Sequence, residues 1–250
     1  MKTRAIGLST FLVASTALAI TTGCSGGGGS STSSPTPTNS ATPTPSGAVP
    51  DPIVLSGTTQ TDGVSGSTPV TNATVEVYRT GTATALIAGS SDGTGHYSLN
   101  VPTGGAAVDG YIHAAAASYL DSYQYPTSPF AASATFTVTL LNSSTFGTIG
   151  SLAGVTQASG KGWIAVEVVN SAGTPTSGAT VSTTPSGTVK YLSGGLPSSS
   201  ATMTDTDGVA FVFNLTPGDV IVSASAGGNP LHSHTVNARA DVLTYTSIAP

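Results

Sequence analysis

The 250-residue chain is 7% charged, with six basic and eleven acidic residues, a formal net charge of −5 and one cysteine. Beyond Lys2 and Arg4 at the N-terminus, only Arg79, Lys161, Lys190 and Arg239 are basic, against all eleven acids, so the remainder carries −7. That excludes the basic footprint of a nucleic-acid binder, and a single cysteine excludes an internal disulfide.

In residues 1–23, Lys2 and Arg4 precede an apolar run from Ala5 to Ile20, and Thr21-Thr22-Gly23 leads to Cys24. This pattern predicts an export signal, since a run of about 16 apolar residues is shorter than the ~20 that span a bilayer. The stretch resembles the lipobox of bacterial lipoproteins, which implies lipidation of Cys24 and a membrane anchor there. Thr21 stands where that pattern carries an aliphatic residue, and an ordinary export signal ending near a free cysteine is the alternative. Ser25, rather than Asp, follows the cysteine, which by the same resemblance implies the outer membrane or cell surface of a bacterial envelope. Residues 24–50 are almost wholly Gly, Ser, Thr, Pro and Asn. They have too little apolar surface to offset the entropy of ordering, and a disordered linker is expected, spanning roughly 30 Å on average.

From residue 51 the pattern is short alternating runs: "ATVEVY" at 73–78, "HYSLNV" at 96–101, "TFTVTLL" at 135–141, "WIAVEVV" at 163–169, "VAFVF" at 209–213 and "DVIVSAS" at 219–225. Runs of this length, rich in β-branched and aromatic residues and punctuated by Gly, Pro, Asn and Asp, predict sandwich strands. Their order repeats. "TPVTNATVEVY" from Thr68 is echoed by "TPTSGATVSTT" from Thr174, and "SSDGTGHYSLNVPTG" from Ser90 by "MTDTDGVAFVFNLTPG" from Met203. The second repeat carries an insertion, "KYLSGGLPSSS". The predicted units are a first β-sandwich over 51–141, a helix and connector over 142–159, and a second β-sandwich over 160–250. In the connector, Asn142 or Ser143 can cap a helix, Phe146, Ile149 and Leu152 share a face, and Gly154 can stop it.

The second repeat, through Gly173, Pro175, Ala179, Val181, Thr204 to Gly208, Leu215, Pro217 and Gly218, resembles the carboxypeptidase regulatory-like domain. The first resembles it through Pro69, Ala73, Val75, Asp92, Gly95, Tyr97, Pro102 and Gly104. The resemblance implies an all-β chain of two tandem transthyretin-like/Ig-like β-sandwich domains with a short connecting helix. It also implies a noncatalytic attachment with no cofactor, which binds an envelope protein or polysaccharide or serves as a spacer.

Four constellations bear on chemistry. Asp205 and Asp207 in "TDTDG" have the spacing of calcium ligands, yet a strand follows Gly208, so a hairpin corner is expected. Ser91 in "GSSDG" matches a nucleophile elbow, which needs a following helix; "HYSLNV" follows instead, and Ser91 reads as a turn residue. His232 and His234 are spaced to share one face of a strand and reach one metal ion. "P-x-H-x-H" here resembles the closing motif of intradiol dioxygenases, which implies a ferric site with Tyr191 as one tyrosine ligand. Asp219 and Val220 stand where the second tyrosine would be, and Asn229 replaces the expected arginine. A metal-binding or vestigial domain is therefore the alternative to a noncatalytic module. Finally, Tyr119, Tyr123 and Tyr125, with Asp121, offer either a stacking platform for sugar rings or a cover for an open sheet edge.

Overall fold

An alternating strand buries every second side chain, and that face is hidden only against another layer. The structure, a computed structural model, describes residues 48–63 and 66–250. The expected export signal, Cys24 and the linker up to residue 47 lie outside them. The first repeat forms β1 (Ile53–Gly63), β2 (Gly66–Pro69), β3 (Thr74–Arg79), β4 (Ala85–Ser90), β5 (His96–Val101), β6 (Gly110–Ala115), β7 (Ser122–Tyr125) and β8 (Ala134–Thr139). Helix α1 (Ser143–Ala153) follows. Then come β9 (Gly162–Val168), β10 (Ala179–Thr184), β11 (Thr188–Ser193), β12 (Leu196–Ser198), β13 (Val209–Leu215), β14 (Gly218–Ala226), β15 (Asn229–Pro230), β16 (His234–Ala238) and β17 (Leu243–Ile248).

Three sheets result. In one, β1 pairs antiparallel with β2 and β5 and parallel with β8. In another, β14 pairs with β10, β15 and β16. The third has nine strands in the order β12-β11-β13-β9-β17-β7-β6-β3-β4 and passes through both sandwiches. Its joint is β17, parallel to β9 of its own sandwich and to β7 of the first.

The two covering sheets lie on opposite faces of this long sheet. Val75, Val77, Ile112 and Ala114 face Leu55, Tyr97, Leu99 and Phe136 in the first core. Registers carry His113, the alternate neighbour of Ile112, across Tyr123 and Thr244 to Ile164. Ile164 packs with Val166, Val181, Val220 and Val236 in the second core.

Helix α1 covers the other face of the second sandwich, setting Phe146, Ile149 and Ala153 against Trp163, Ala165, Phe211 and Phe213. Thus β9 and β13 are buried on both faces, which is why they read as nearly continuous apolar runs. Asn142 Oδ1 accepts from Thr145 N at 2.8 Å, and Gly154 ends the helix at φ 69°. Leu152 departs from the expected face and is exposed. Six residues beyond Phe146 is about 240° around a helix, and the packed stripe instead runs through Ile149, Gly150 and Ala153.

The repeats share one clasp. Ser91 Oγ accepts from Ala73 N at 3.0 Å and donates to Val70 O at 2.9 Å; Thr204 Oγ1 accepts from Ala179 N at 2.9 Å and donates to Thr176 O at 2.7 Å. Beside each, Thr59 N donates to Gly95 O and Val168 N to Gly208 O, both at 2.8 Å. Gly95 and Gly208 have φ of 78° and 66°, and a Cβ would come within 2.6 Å of Thr59 O or 2.5 Å of Val168 O. Only glycine meets both demands. The "TDTDG" segment is thus a corner: Gly208 N donates to Asp205 O, while the Asp205 carboxylate accepts from Thr206 N and Gly194 N.

Thr204→Val keeps volume but strands the buried Ala179 N–H, at about 1–3 kcal/mol, and takes the hydroxyl donor from the half-buried Thr176 carbonyl, at about 1 kcal/mol. Urea denaturation is expected to show a loss of about 2–4 kcal/mol for it. Thr204→Ser, which installs the hydroxyl used at position 91, is expected to lose about 1 kcal/mol for one methyl group.

Candidate functional site

Residues two apart on a strand share a face. On the face of the long sheet opposite the first core, β3 therefore places Glu76 and Tyr78, β6 Tyr111 and His113, and β7 Tyr123 and Tyr125. Register aligns Glu76, His113 and Tyr123 in one row and sets Tyr78 beside Tyr111. The rings form a bank. Tyr78 stacks on Tyr111 with centroids 5.3 Å apart, Tyr111 lies 4.9 Å from Tyr125, and His113 stacks on Tyr123 at 4.5 Å. His113 Nδ1 is 2.9 Å from Glu76 Oε2 and its Nε2 is 3.2 Å from Asp121 Oδ2. The Tyr78 hydroxyl donates to the same Glu76 oxygen at 3.0 Å.

The second sandwich closes on this bank with Arg239, which follows β16. Its guanidinium carbon lies 3.9 Å from the Tyr123 ring centre and 4.9 Å from that of Tyr111, and Nη1 donates to the Tyr125 hydroxyl at 3.1 Å. Burial raises the Tyr123 and Tyr125 hydroxyls above the ordinary tyrosine range, and the Arg239 charge opposes the rise. His234 Nδ1 meets Thr246 Oγ1 at 2.7 Å; burial lowers its pKa and Asp109 opposes the shift.

The residues singled out by sequence are therefore divided. Tyr123, Tyr125 and His234 meet at the seam between the sandwiches, where Tyr125 packs edge-on to His234 at 6.1 Å. Tyr119 instead packs against the first core. The expectation that His232 and His234 share a strand face gives way: β16 begins at His234, and exposed His232 lies before it, its backbone N–H donating to Ala249 O. Tyr191 is buried in the second core, its hydroxyl accepting from Val181 N at 2.9 Å, so it is committed to the backbone. Among the described residues, no three His, Cys, Asp or Glu side chains come together in a metal-holding group. Sequence reasoning missed Glu76, Tyr78, Tyr111 and Arg239. The spacing in "EVY" and "YIH" put each pair on one face, but nothing local showed that the strands were neighbours.

Together these features define an all-β protein of two β-sandwiches whose polar and aromatic cluster braces its own seam. No family model matches the chain, and no curated protein does. Similar solved structures include a minor pilin of Streptococcus agalactiae, 12% identical, covering 79% of this chain and 95% of that one at a TM-score of 0.26. The shaft pilin SpaA of Lactobacillus rhamnosus GG is 11% identical, with 80% and 97% covered at a TM-score of 0.25. The Bacillus anthracis TIE protein is 14% identical, with 78% and 33% covered at 0.26. At these scores nothing about those proteins' assembly or partners transfers to this chain.

Arg239→Ala is expected to weaken the seam by about 1–3 kcal/mol through lost cation–π contact and a lost hydrogen bond. Native-state hydrogen exchange would then quicken at residues 122–125 and 243–246, while amides of β1 keep their protection.

Burial also raises the Glu167 carboxyl to about 8 from its ordinary 4.5. The folded state therefore holds a proton that the unfolded chain releases, so stability is full below about pH 4.5 and falls as pH rises through about 8. Glu167→Gln removes that dependence. In urea denaturation the variant is expected to match the parent at pH 4 and exceed it at pH 9 by a few kcal/mol, on the order of the shift at ~1.4 kcal/mol per unit.

Proposed function

We infer that the chain is a noncatalytic module of a bacterial envelope, held to a membrane by a lipid at Cys24 and raised by residues 24–50. Its two carboxypeptidase regulatory-like units, 51–141 and 160–250 joined by 142–159, present one surface to a protein or carbohydrate partner at the outer membrane or cell surface. The observation that carries this reading is the nine-stranded sheet common to both sandwiches. Inter-domain contacts within a chain ordinarily permit relative motion, whereas a sheet ladder through the joint resists it, which suits a spacer that holds a surface at a fixed attitude. The groups with chemical potential support the same reading, because Arg239, His113, His234, Tyr125 and Tyr191 are all engaged in internal bonds. No helix among the described residues is long and apolar enough to cross a membrane; the attachment proposed is the lipid at Cys24.

A fatty-acid probe supplied to cells is expected to label the chain, and Cys24→Ser to abolish labelling; absence of label on the parent removes the anchor. In the purified chain, iron and zinc are expected well below one equivalent. A full equivalent that disappears in His232→Ala would overturn the noncatalytic reading.

A further inference from the structure

The long sheet ends at β4, and its two ends differ in how they are protected. At the other end, β12 is three residues long and contains Pro197, which offers no N–H. Strand β4, "ALIAGS", is six residues long with no charge and no proline; its one edge guard is a bulge at Leu86, where the register shifts between Val77 and Tyr78, and residues 87–90 beyond it run in regular register with β3.

What lies beside that edge favours a particular occupant. On the aromatic face, the β4 residue opposite Glu76 is Ala88, which is exposed, and Ala85 is opposite Tyr78. Neither methyl group is large enough to cover its neighbour. Tyr78 stacks on Tyr111 and meets His113 edge-on at 6.3 Å, and among the described residues the cation of the bank, Arg239, lies over Tyr111 and Tyr123 rather than over Tyr78. Glu76 makes both of its hydrogen bonds through Oε2, and its side chain is 23% exposed. A ring face, a carboxylate oxygen and two alanines thus form a seat one strand in from the open edge. The bank already holds a guanidinium two rings away, and its carboxylates, Glu76 and Asp121, favour a second positive charge.

We propose that β4 accepts an extended segment of a partner protein as a tenth strand, and that an arginine of that segment crosses Ala88 to lie over Tyr78 and bond Glu76. A strand added at the usual spacing of about 4.8 Å places its side chains roughly 10 Å from Glu76, within the combined reach of an arginine and a glutamate. Backbone pairing supplies affinity and the arginine supplies choice. The proposal deepens the binding-module reading and rests on it by naming the partner's chemistry.

The probe is a blocked peptide, acetyl-Thr-Val-Arg-Val-Thr-amide, titrated into the full chain and followed by amide and tyrosine-ring NMR shifts. A peptide with citrulline in place of arginine serves as the uncharged control, and a chitosan oligomer as a cationic sugar. Saturable shifts at residues 85–90 and on the Tyr78 ring are expected, with citrulline binding at least ten-fold more weakly. Glu76→Gln and Tyr78→Ala should each weaken binding several-fold, and Tyr78→Phe should retain it. Ala88→Lys, at an exposed position, should abolish binding with the Arg239–Tyr123 resonances unchanged, which separates a lost seat from a lost fold. Equal binding of arginine and citrulline peptides, preference for the sugar, or shifts away from β4 would each overturn the proposal. None of those results bears on the Cys24 label, so failure of the seat and failure of the anchored-module reading are distinguishable.

Discussion

Strand β17 is hydrogen-bonded on one side to the sandwich that contains it and on the other to the sandwich before it, parallel in both directions. Everything at the seam follows from that arrangement. Because the pleat alternates without interruption across the joint, side chains facing the first core on β6 and β7 continue as the α1-facing side of β17 and β9, and the two cores fall on opposite faces. The face of the first sandwich that a lone domain would leave to solvent therefore becomes the wall against which the second sandwich is set. Arg239 lies on that wall because four tyrosines and a histidine are there. Parallel strands are ordinarily covered on both faces, and Thr244 and Thr246 on β17 are buried accordingly.

The repeats keep the clasp and the parallel closure but differ at one strand. In the first, β4 pairs with β3; in the second, β11 leaves the edge of β10 and pairs with β13 on the opposite sheet. The hairpin with β12, turning at Gly194 and Gly195, goes with it. That move leaves the edge of β10 without a ladder partner, and the Tyr191 hydroxyl, reaching across the core, takes up the Val181 amide there. Tyr191 is thus buried for a structural reason, a tie between two sheets made necessary by a strand that changed sides.

Most of the architecture was legible because its causes are local. Alternating runs and turn residues marked strands, repeated order marked two equivalent units, and Asn142 and Gly154 marked both ends of α1. The glycines of the corners were legible too, although not the reason for them, since the close approach of Thr59 O or Val168 O belongs to a distant strand. Leu152 was misplaced because three apolar residues six apart in all exceed the width of one helical stripe. The seam was illegible in principle: Tyr123 is 116 residues from Arg239, and no pattern in either segment names the other. The histidine pair was misjudged because i, i+2 spacing implies a shared face only inside a strand, and β16 starts between the two.

The way the sheets are shared also sets a direction. Strand β8 closes the first sandwich beside β1 as β17 closes the second beside β9, and β16 borders β14 as β7 borders β6. The long sheet therefore joins the closing-strand layer of one unit to the opposite layer of the unit before it, so two units make three sheets rather than four. This is the masonry of a running bond, in which each course overlaps the joint of its neighbour. A series laid by this rule has a leading end and a trailing end that are not interchangeable, and a shear load crossing a joint is borne by rows of backbone hydrogen bonds in parallel rather than by a flexible tether between separate bodies.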